Sequence, residues 1–211
     1  MPAVIYPFGP GLYKARLSDD VLHMLQEVVE RVRKDDSLNR SYKAGQFVYG
    51  KNPMMDFTPA EFKLFDLEIK RHMLSYFLEM RNTIRMDKDM SKKCLDAVNT
   101  MRPHNDHENE ASIWANIQHA GDMHPIHNHP GDISFVTYIK VPELTEEDKF
   151  RSGGMVAWTY GEYMQFSNDM FAHQPEVGEI FIFPPKCRHF VWPFSNKDGE
   201  RISVAGNYEF A

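Results

Sequence analysis

The chain has 211 residues, of which 42% are hydrophobic, and it carries ten histidines, two cysteines and a formal net charge of −6 at pH 7. Domains typically contain about 50–250 residues, so we expect residues 1–211 to form one domain with a sizeable core. The negative charge argues against a non-specific nucleic-acid binder, and two cysteines argue against a disulfide framework.

Targeting signals are not apparent in the sequence. The N-terminal residues lack a charged head followed by an apolar run, so no secretion signal is predicted. No apolar segment approaches the roughly 20 residues that span a bilayer. The two cysteines, Cys94 and Cys187, are expected to be reduced thiols, which suit the cytosol. These features together predict a cytoplasmic protein.

Two amphipathic helices are predicted in the N-terminal part of the chain. Ser18 is a candidate N-cap, and the apolar residues at helical spacing behind it are Leu22, Leu25, Val29 and Val32. Residues 58–61 (TPAE) form a capping-box pattern with proline at the first helical position, followed by a second apolar stripe that ends at Met80. Residues 36–57 and 86–110 are interpreted as edge strands or loops.

From about residue 111 the sequence consists of short β-rich runs separated by loops rich in Pro, Gly, Asn and Asp. The predicted strands are residues 113–118, 133–141, 155–159, 179–183, 190–194 and 202–208. Short strands after a pair of helices favour a barrel or jelly roll with helices packed outside. We expect helical support and edge segments over residues 1–110 and a β core over residues 111–211.

A cluster of histidines is the most informative feature. His119, His124, His127 and His129 fall within eleven positions. Neutral imidazole is the commonest protein ligand for a transition metal. Residues i and i+2 of an extended chain point to one face, so His127 and His129 are predicted to bind one ion together. His189 follows a strand that ends at Pro184 and is the predicted third ligand. Three protein ligands with open positions are typical of non-haem iron.

Arg201 and Ser203 form a second candidate site, at the start of the last predicted strand, where they share a face. A guanidinium binds a carboxylate with two parallel hydrogen bonds, and a hydroxyl adds another. Considered alone, Arg201 would be interpreted as a surface residue. Its position twelve residues after a candidate metal ligand resembles the pattern of a known type of carboxylate-binding site.

Several segments, in this order, resemble one known family: 114–116 (WAN), 127–131 (HNHPG), Ser134 with 138–142 (YIKVP), 178–184 (GEIFIFP) with His189, and 201–203 (RIS) with Asn207. Together they are similar to a 2-oxoglutarate/Fe(II)-dependent oxygenase family of the prolyl-hydroxylase-like superfamily, found in bacteria and phages. The resemblance covers roughly residues 111–208. Phe135 and Thr137 depart from the glycine and tyrosine of the family pattern.

The resemblance implies a mainly β protein with a double-stranded β-helix (a cupin-like jelly roll) that binds Fe(II), 2-oxoglutarate and O₂ and hydroxylates a substrate while 2-oxoglutarate is decarboxylated to succinate. It implies that His127, His129 and His189 hold the metal and carry catalysis. Arg201 and Ser203 would bind 2-oxoglutarate. Asn116 is a further candidate for cofactor binding, with Gln118, which alternates with it on the same predicted strand, ranked behind it. The remaining histidines of this region are expected to be substrate-cleft or surface residues: His119, His124 and His173. The primary substrate, whether a peptide residue, a small metabolite or a nucleobase, is not indicated.

Two alternative ligand sets stay open. The wider superfamily has H-x-D where this chain has His127-Asn128-His129, so Asp132, three residues further on, is a rival to His129. A literal H-x-D occurs at residues 104–106, before the first predicted core strand, and its use would require another strand order. We favour His129, because i, i+2 geometry needs no special loop.

Two alternative functions also stay open. A three-histidine cupin-type metalloenzyme would not use 2-oxoglutarate, and Arg201 would then be structural. A non-catalytic metal-binding module would bind the ion without turnover. Metal analysis, 2-oxoglutarate binding and succinate release distinguish the three.

Overall fold

The computed structural model describes residues 3–5, 9–39, 50–82, 88–104, 113–166 and 168–210. The N-terminal elements are strand β1 (Ala3–Ile5), strand β2 (Leu12–Arg16), helix α1 (Asp19–Val32), a 3₁₀ turn (Asp36–Leu38), helix α2 (Pro59–Asn82), helix α3 (Lys88–Ala97) and strand β3 (Arg102–Pro103). The C-terminal elements are β4 (Ile113–His119), β5 (His124–His127), β6 (Ile133–Lys140), helix α4 (Glu146–Phe150), β7 (Val156–Thr159), β8 (Met170–His173), β9 (Glu179–Phe183), β10 (Arg188–Val191) and β11 (Glu200–Glu209).

Both predicted helices begin where their capping patterns indicate. Helix α2 starts at Pro59, with the Thr58 amide donating to the Glu61 carboxylate over 2.7 Å and the Glu61 amide donating to the Thr58 hydroxyl over 3.3 Å. This reciprocal pair satisfies two backbone donors at the helix start. Ser18 lies at the N-cap of α1, although its side chain makes no capping hydrogen bond.

The strands form two antiparallel sheets. The larger sheet has the order β1-β2-β9-β6-β11-β3, with β4 also pairing with β11. The smaller sheet has the order β5-β10-β7-β8. The mainly β jelly-roll fold expected from the sequence is therefore confirmed.

Strand β9 shows how the layers pack, because all five of its residues are buried. Ile180 and Ile182 belong to a cluster that includes apolar residues of α1 and α2, whereas Phe181 and Phe183 belong to a second cluster with Trp158 of the smaller sheet. Alternate residues of a strand point to opposite faces. The helices thus cover one face of the larger sheet, and the smaller sheet packs against the other.

Several elements differ from the predicted pattern or were missed by it, among them strand β1 and the short helix α4. Strand β2 and strands β5 and β8 carry polar residues and are short, and helix α3 lies where edge strands or loops were expected. Of the residues interpreted as edge segments, Lys51 and Met54 form isolated bridges to strand β4, and 40–49 lie outside the described residues. None of the helices in the described ranges is both long and apolar enough to cross a membrane.

Candidate metal centre

Three histidine rings converge at one end of the smaller sheet. His127 is the last residue of β5 and lies directly opposite His189 of β10 in the antiparallel pairing. His129 follows two residues after β5 and lies close to both. One nitrogen from each of the three rings lies within 4.8 Å of the other two, and this is the one such group of possible metal ligands among the described residues.

The loop after β9 positions His129. The His129 amide donates to the Pro185 carbonyl over 2.9 Å, and Lys186 Nζ donates to the His129 carbonyl over 3.2 Å. The Trp114 indole packs beside the imidazole, with ring centroids 5.5 Å apart. His129 is therefore oriented by a loop clamp and an aromatic neighbour rather than by a regular strand.

Hydrogen bonds at the far side of two rings determine which nitrogen faces the centre. His127 Nδ1 lies 2.7 Å from the Pro125 carbonyl oxygen, and His189 Nδ1 lies 3.1 Å from the Cys187 carbonyl oxygen. A carbonyl can only accept, so both Nδ1 atoms must carry the hydrogen. Each Nε2 then presents a lone pair, which is the usual arrangement of metal-bound histidine.

A metal ion fits this arrangement. His129 Nε2 and His189 Nε2 lie 3.2 Å apart. Metal–nitrogen bonds of about 2.1 Å that meet near a right angle would separate two ligand nitrogens by about 3.0 Å. Two buried lone pairs at this distance repel each other unless a cation or a proton lies between them. Three neutral nitrogens with open positions on one side suit a transition metal such as Fe(II).

Burial lowers the pKa of all three histidines and so favours the neutral form that binds metal. Burial lowers the pKa of His129 to about 2 and that of His189 to about 3, with the neighbouring histidines adding to both effects. Burial also lowers the pKa of His127. Imidazole binds metal only when neutral. The three imidazole rings are therefore neutral at neutral pH, and a metal ion can bind them without first displacing a proton.

These lowered pKa values predict acid sensitivity of the metal-free protein. Histidine has a pKa of about 6.5 in the unfolded chain, so the unfolded state binds protons first and stability falls as the pH decreases below that value. For His124, His129 and His189, whose pKa values fall to about 3, 2 and 3, lowering the pH from 7 to 5.5 should cost about 1 kcal/mol each. Urea unfolding of the chelator-treated protein at pH 7 and at pH 5.5 measures the total decrease in the free energy of unfolding.

His189→Ala should remove about 1 kcal/mol of this pH dependence, because it removes one of the buried rings whose pKa is lowered. An unfolding free energy that is the same at pH 7 and pH 5.5 would contradict the burial of these rings.

The rival ligands lie elsewhere. The Asp132 carboxylate accepts the Phe210 amide over 2.9 Å at the C-terminal end of β11, and it is not part of the histidine group. His104 Nδ1 lies 2.6 Å from the Glu209 carboxylate. Asp106, which completes the H-x-D of residues 104–106, lies outside the described residues.

Gly131 connects the histidine loop to β6. Its φ is +86°, and a Cβ atom there would lie 3.0 Å from the Tyr208 carbonyl oxygen, so a side chain at this position would be strained.

Arg201 lies in β11 and is 2% exposed. Its guanidinium donates through Nε and Nη2 to Gln118 Oε1 and through Nη1 to the Gly154 carbonyl. Burial lowers its pKa to about 10, which still leaves it charged at neutral pH. No carboxylate forms an ion pair with it in the described part of the chain. Arg201 and the three histidines line the same cavity between the two sheets.

Ser203 and Asn116 also line this cavity. Asn116 Nδ2 donates to Ser203 Oγ over 3.2 Å, while Asn116 Oδ1 accepts from Asn52 Nδ2 over 2.6 Å and from Trp114 Nε1 over 3.1 Å. Asn116 therefore ties Trp114, the neighbour of His129, to the last strand. Its predicted role as a direct cofactor ligand stays a prediction, as does that of Ser203.

Three further polar residues of the cavity were missed or given little weight by the sequence reasoning. Gln118, His124 and Tyr138 line it together with the predicted residues. Gln118 follows Trp114 and Asn116 at alternate positions of β4, and this alternation was the signal that ranked it behind Asn116 as a candidate. For His124 the sequence indicated only a cleft or surface residue. Burial raises the pKa of Tyr138, which keeps it a neutral hydroxyl.

Residues 112–207 match the family described as "Putative 2OG-Fe(II) oxygenase". The fold is similar to that of a prolyl-4-hydroxylase from Pseudomonas putida, with 12% sequence identity, a TM-score of 0.56 and coverage of 96% of this chain and 94% of that chain. An oxidoreductase of the 2OG-Fe(II) oxygenase family from Burkholderia pseudomallei has 12% identity and a TM-score of 0.43 over 99% of this chain and 73% of that chain. Among curated protein sequences nothing matches significantly.

The family match spans all three histidines and Arg201, and the similar prolyl-4-hydroxylase shares the fold. The predicted resemblance to the 2OG-Fe(II) oxygenases is thereby confirmed. Residues 112–207 are therefore similar to the 2OG-Fe(II) oxygenase family, and the three-histidine cluster within them is compatible with iron.

Proposed function

We propose that the protein hydroxylates an organic substrate with Fe(II), O₂ and 2-oxoglutarate, which is converted to succinate and CO₂. The observation that carries this proposal is the single cavity that joins three neutral histidine nitrogens to a buried guanidinium without a carboxylate partner among the described residues. A metal alone would explain the histidines, and a carboxylate alone would explain Arg201. A 2-oxo dicarboxylate explains both.

In this proposal, His127, His129 and His189 hold the iron through nitrogen atoms. The hydrogen bonds to Pro125 and Cys187 keep two of these rings in the required tautomer. Iron with a bound 2-oxo acid supplies the O₂ activation and oxidation chemistry. The protein contributes ligand geometry, orientation and exclusion of water.

Arg201 would bind the far carboxylate of 2-oxoglutarate. A guanidinium has five N–H groups, and three of them are donated to Gln118 and Gly154, which leaves two for a ligand. Ser203 accepts from Asn116, so its own hydroxyl hydrogen is available to the same carboxylate. A charge-assisted pair in a dry cavity is strong and directional.

Aromatic residues around the cluster support a water-poor reaction site. Trp114 lies beside His129, and the Phe183 ring contacts His189 edge-on with centroids 5.0 Å apart. Val156 and Val191 of the smaller sheet line the same cavity. Excluding water protects the reactants from side reactions and strengthens electrostatic contacts.

The direct test is 2-oxoglutarate turnover by the purified protein with Fe(II) and ascorbate. We expect succinate release and O₂ uptake that depend on both iron and 2-oxoglutarate, at a slow rate while the primary substrate is absent. Iron binding without any 2-oxoglutarate binding would instead support the cupin-type metalloenzyme. Iron and 2-oxoglutarate binding without succinate under any condition would support a non-catalytic module.

We further propose that residues 1–211 form one domain in the cytoplasm. One hydrophobic cluster joins apolar residues of α1 and α2 to strands of the larger sheet, which supports a common core. The thiols of Cys94 and Cys187 are both buried and unpaired, which is compatible with a reducing compartment.

A further inference from the structure

Two buried nitrogen atoms in the cavity have no hydrogen-bond partner among the residues that the structure describes. They are Gln118 Nε2 and His124 Nε2, in side chains that line the cavity together with Arg201. Gln118 is 1% exposed and His124 is 7% exposed. Leaving a buried polar atom unsatisfied costs about 1–3 kcal/mol, and such atoms are rare in folded proteins. Two in one cavity indicate a polar ligand that pairs with them.

The orientation of the Gln118 amide is determined by its neighbour. Gln118 Oε1 accepts from both Nε and Nη2 of Arg201. A guanidinium has no acceptor, so the amide cannot be flipped without placing N–H groups against N–H groups. The Gln118 NH₂ group therefore has no acceptor among the described residues, and it lies next to the positively charged guanidinium of Arg201.

His124 lies on the opposite sheet, in β5, and its ring centroid is 6.0 Å from that of His127. Its Nε2 is the buried nitrogen without a partner among the described residues, and an imidazole nitrogen can carry a hydrogen and donate it.

We propose that Gln118 and His124 bind the far carboxylate of the dicarboxylate co-substrate together with Arg201. This inference rests on the proposed function and assigns the selection of a dicarboxylate to a cradle of three side chains from both sheets. A carboxylate has about four acceptor positions, and these can be shared among the remaining guanidinium N–H groups, the Gln118 amide, the His124 imidazole and the hydroxyl of Ser203. A methyl group in the same place would leave all of these donors unpaired.

The test compares two ligands of equal length in protein loaded with Fe(II) under argon: 2-oxoglutarate and 2-oxopentanoate, which has a methyl group in place of the far carboxylate. Isothermal titration calorimetry gives both dissociation constants. Gln118→Glu keeps the acceptor for Arg201 but replaces the donor with a negative charge. We expect it to weaken 2-oxoglutarate binding by more than about 100-fold. His124→Phe removes one donor at similar volume and should weaken that binding by about 10-fold.

Binding of 2-oxopentanoate should be unchanged in His124→Phe, and His124→Gln, which restores a donor, should recover part of the lost affinity for 2-oxoglutarate. His23→Phe, at an exposed position of α1, is the matched control and should bind both ligands like the wild type. Thermal unfolding of each variant checks that the fold is retained.

The other outcomes separate this inference from the proposed function. If Gln118→Glu and His124→Phe bind 2-oxoglutarate like the wild type while Arg201→Met does not, the cradle is wrong and the proposed function stands. If both variants weaken the two ligands equally, the effect is not on the far carboxylate and the cradle is again wrong. If the wild type does not distinguish the two ligands, the proposed function fails, and the cradle fails with it.

Discussion

Replacing His189 with alanine is expected to reduce iron affinity by more than about 100-fold and to abolish succinate release. Removing even the outer hydrogen-bond partner of a metal ligand typically costs 10–100-fold in affinity, and this change removes a ligand nitrogen. His189 lies opposite His127 and 3.2 Å from His129 between ring nitrogens, so two ligands alone would be left. Anaerobic titration with Fe(II) measures the loss.

Companion variants decide between the rival ligands. Asp132→Ala should bind iron like the wild type, because the Asp132 carboxylate accepts the Phe210 amide. His129→Ala should lose iron, and His129→Asp should retain it, since a carboxylate also binds Fe(II). Loss of iron binding in Asp132→Ala together with normal binding in His129→Ala would contradict the three-histidine site.

Replacing Arg201 with methionine is expected to eliminate the stabilisation of the protein by 2-oxoglutarate. A ligand at 100 times its dissociation constant stabilises the folded state by about 2.7 kcal/mol, which corresponds to about 5–10 °C in Tm for a chain of this size. The wild type loaded with Fe(II) should show this shift. Arg201→Met removes the charge that is proposed to pair with the far carboxylate, so the shift should disappear.

Iron binding provides the control for this second variant. Arg201→Met should titrate with Fe(II) like the wild type, because Arg201 is not a member of the ligand group. A variant that loses the binding of both iron and 2-oxoglutarate is misfolded. Arg201→Lys then replaces it, because lysine keeps the positive charge but lacks the two parallel N–H donors of a guanidinium. An unchanged 2-oxoglutarate shift in a folded Arg201→Met variant would favour the cupin-type alternative, in which Arg201 is structural.

The fold was predictable where the local pattern and the tertiary structure agree. The TPAE sequence before α2 forms a real capping box, and the all-apolar strand β9 is buried on both faces. Strand β2 was missed because Lys14 and Arg16 interrupt its apolar residues, and their polar ends are satisfied by distant partners such as Glu179 and Glu176. Pairings of that kind cannot be read from neighbouring residues.

The same distinction applies to the candidate site. The H-x-H pair and the later histidine were conspicuous in the sequence, yet His129 lies beyond the end of β5 and is oriented by Pro185 and Lys186 of another loop. The orphaned nitrogens of Gln118 and His124 depend on which groups face them across the cavity. Residue types indicated the chemistry, whereas tertiary contacts were needed to distinguish a donor awaiting a ligand from a satisfied one.

Under the proposed function, the division of the site between the two sheets has a consequence for the length of co-substrate that the protein would accept. Arg201 belongs to the larger sheet, whereas His127 and His189 belong to the smaller one. Side chains such as Phe183 and Val156 set the spacing of the two sheets. That spacing would therefore determine how many carbon atoms can lie between the two carboxylates of a bound 2-oxo diacid. Variants with smaller or larger apolar side chains between the sheets should then prefer shorter or longer 2-oxo diacids.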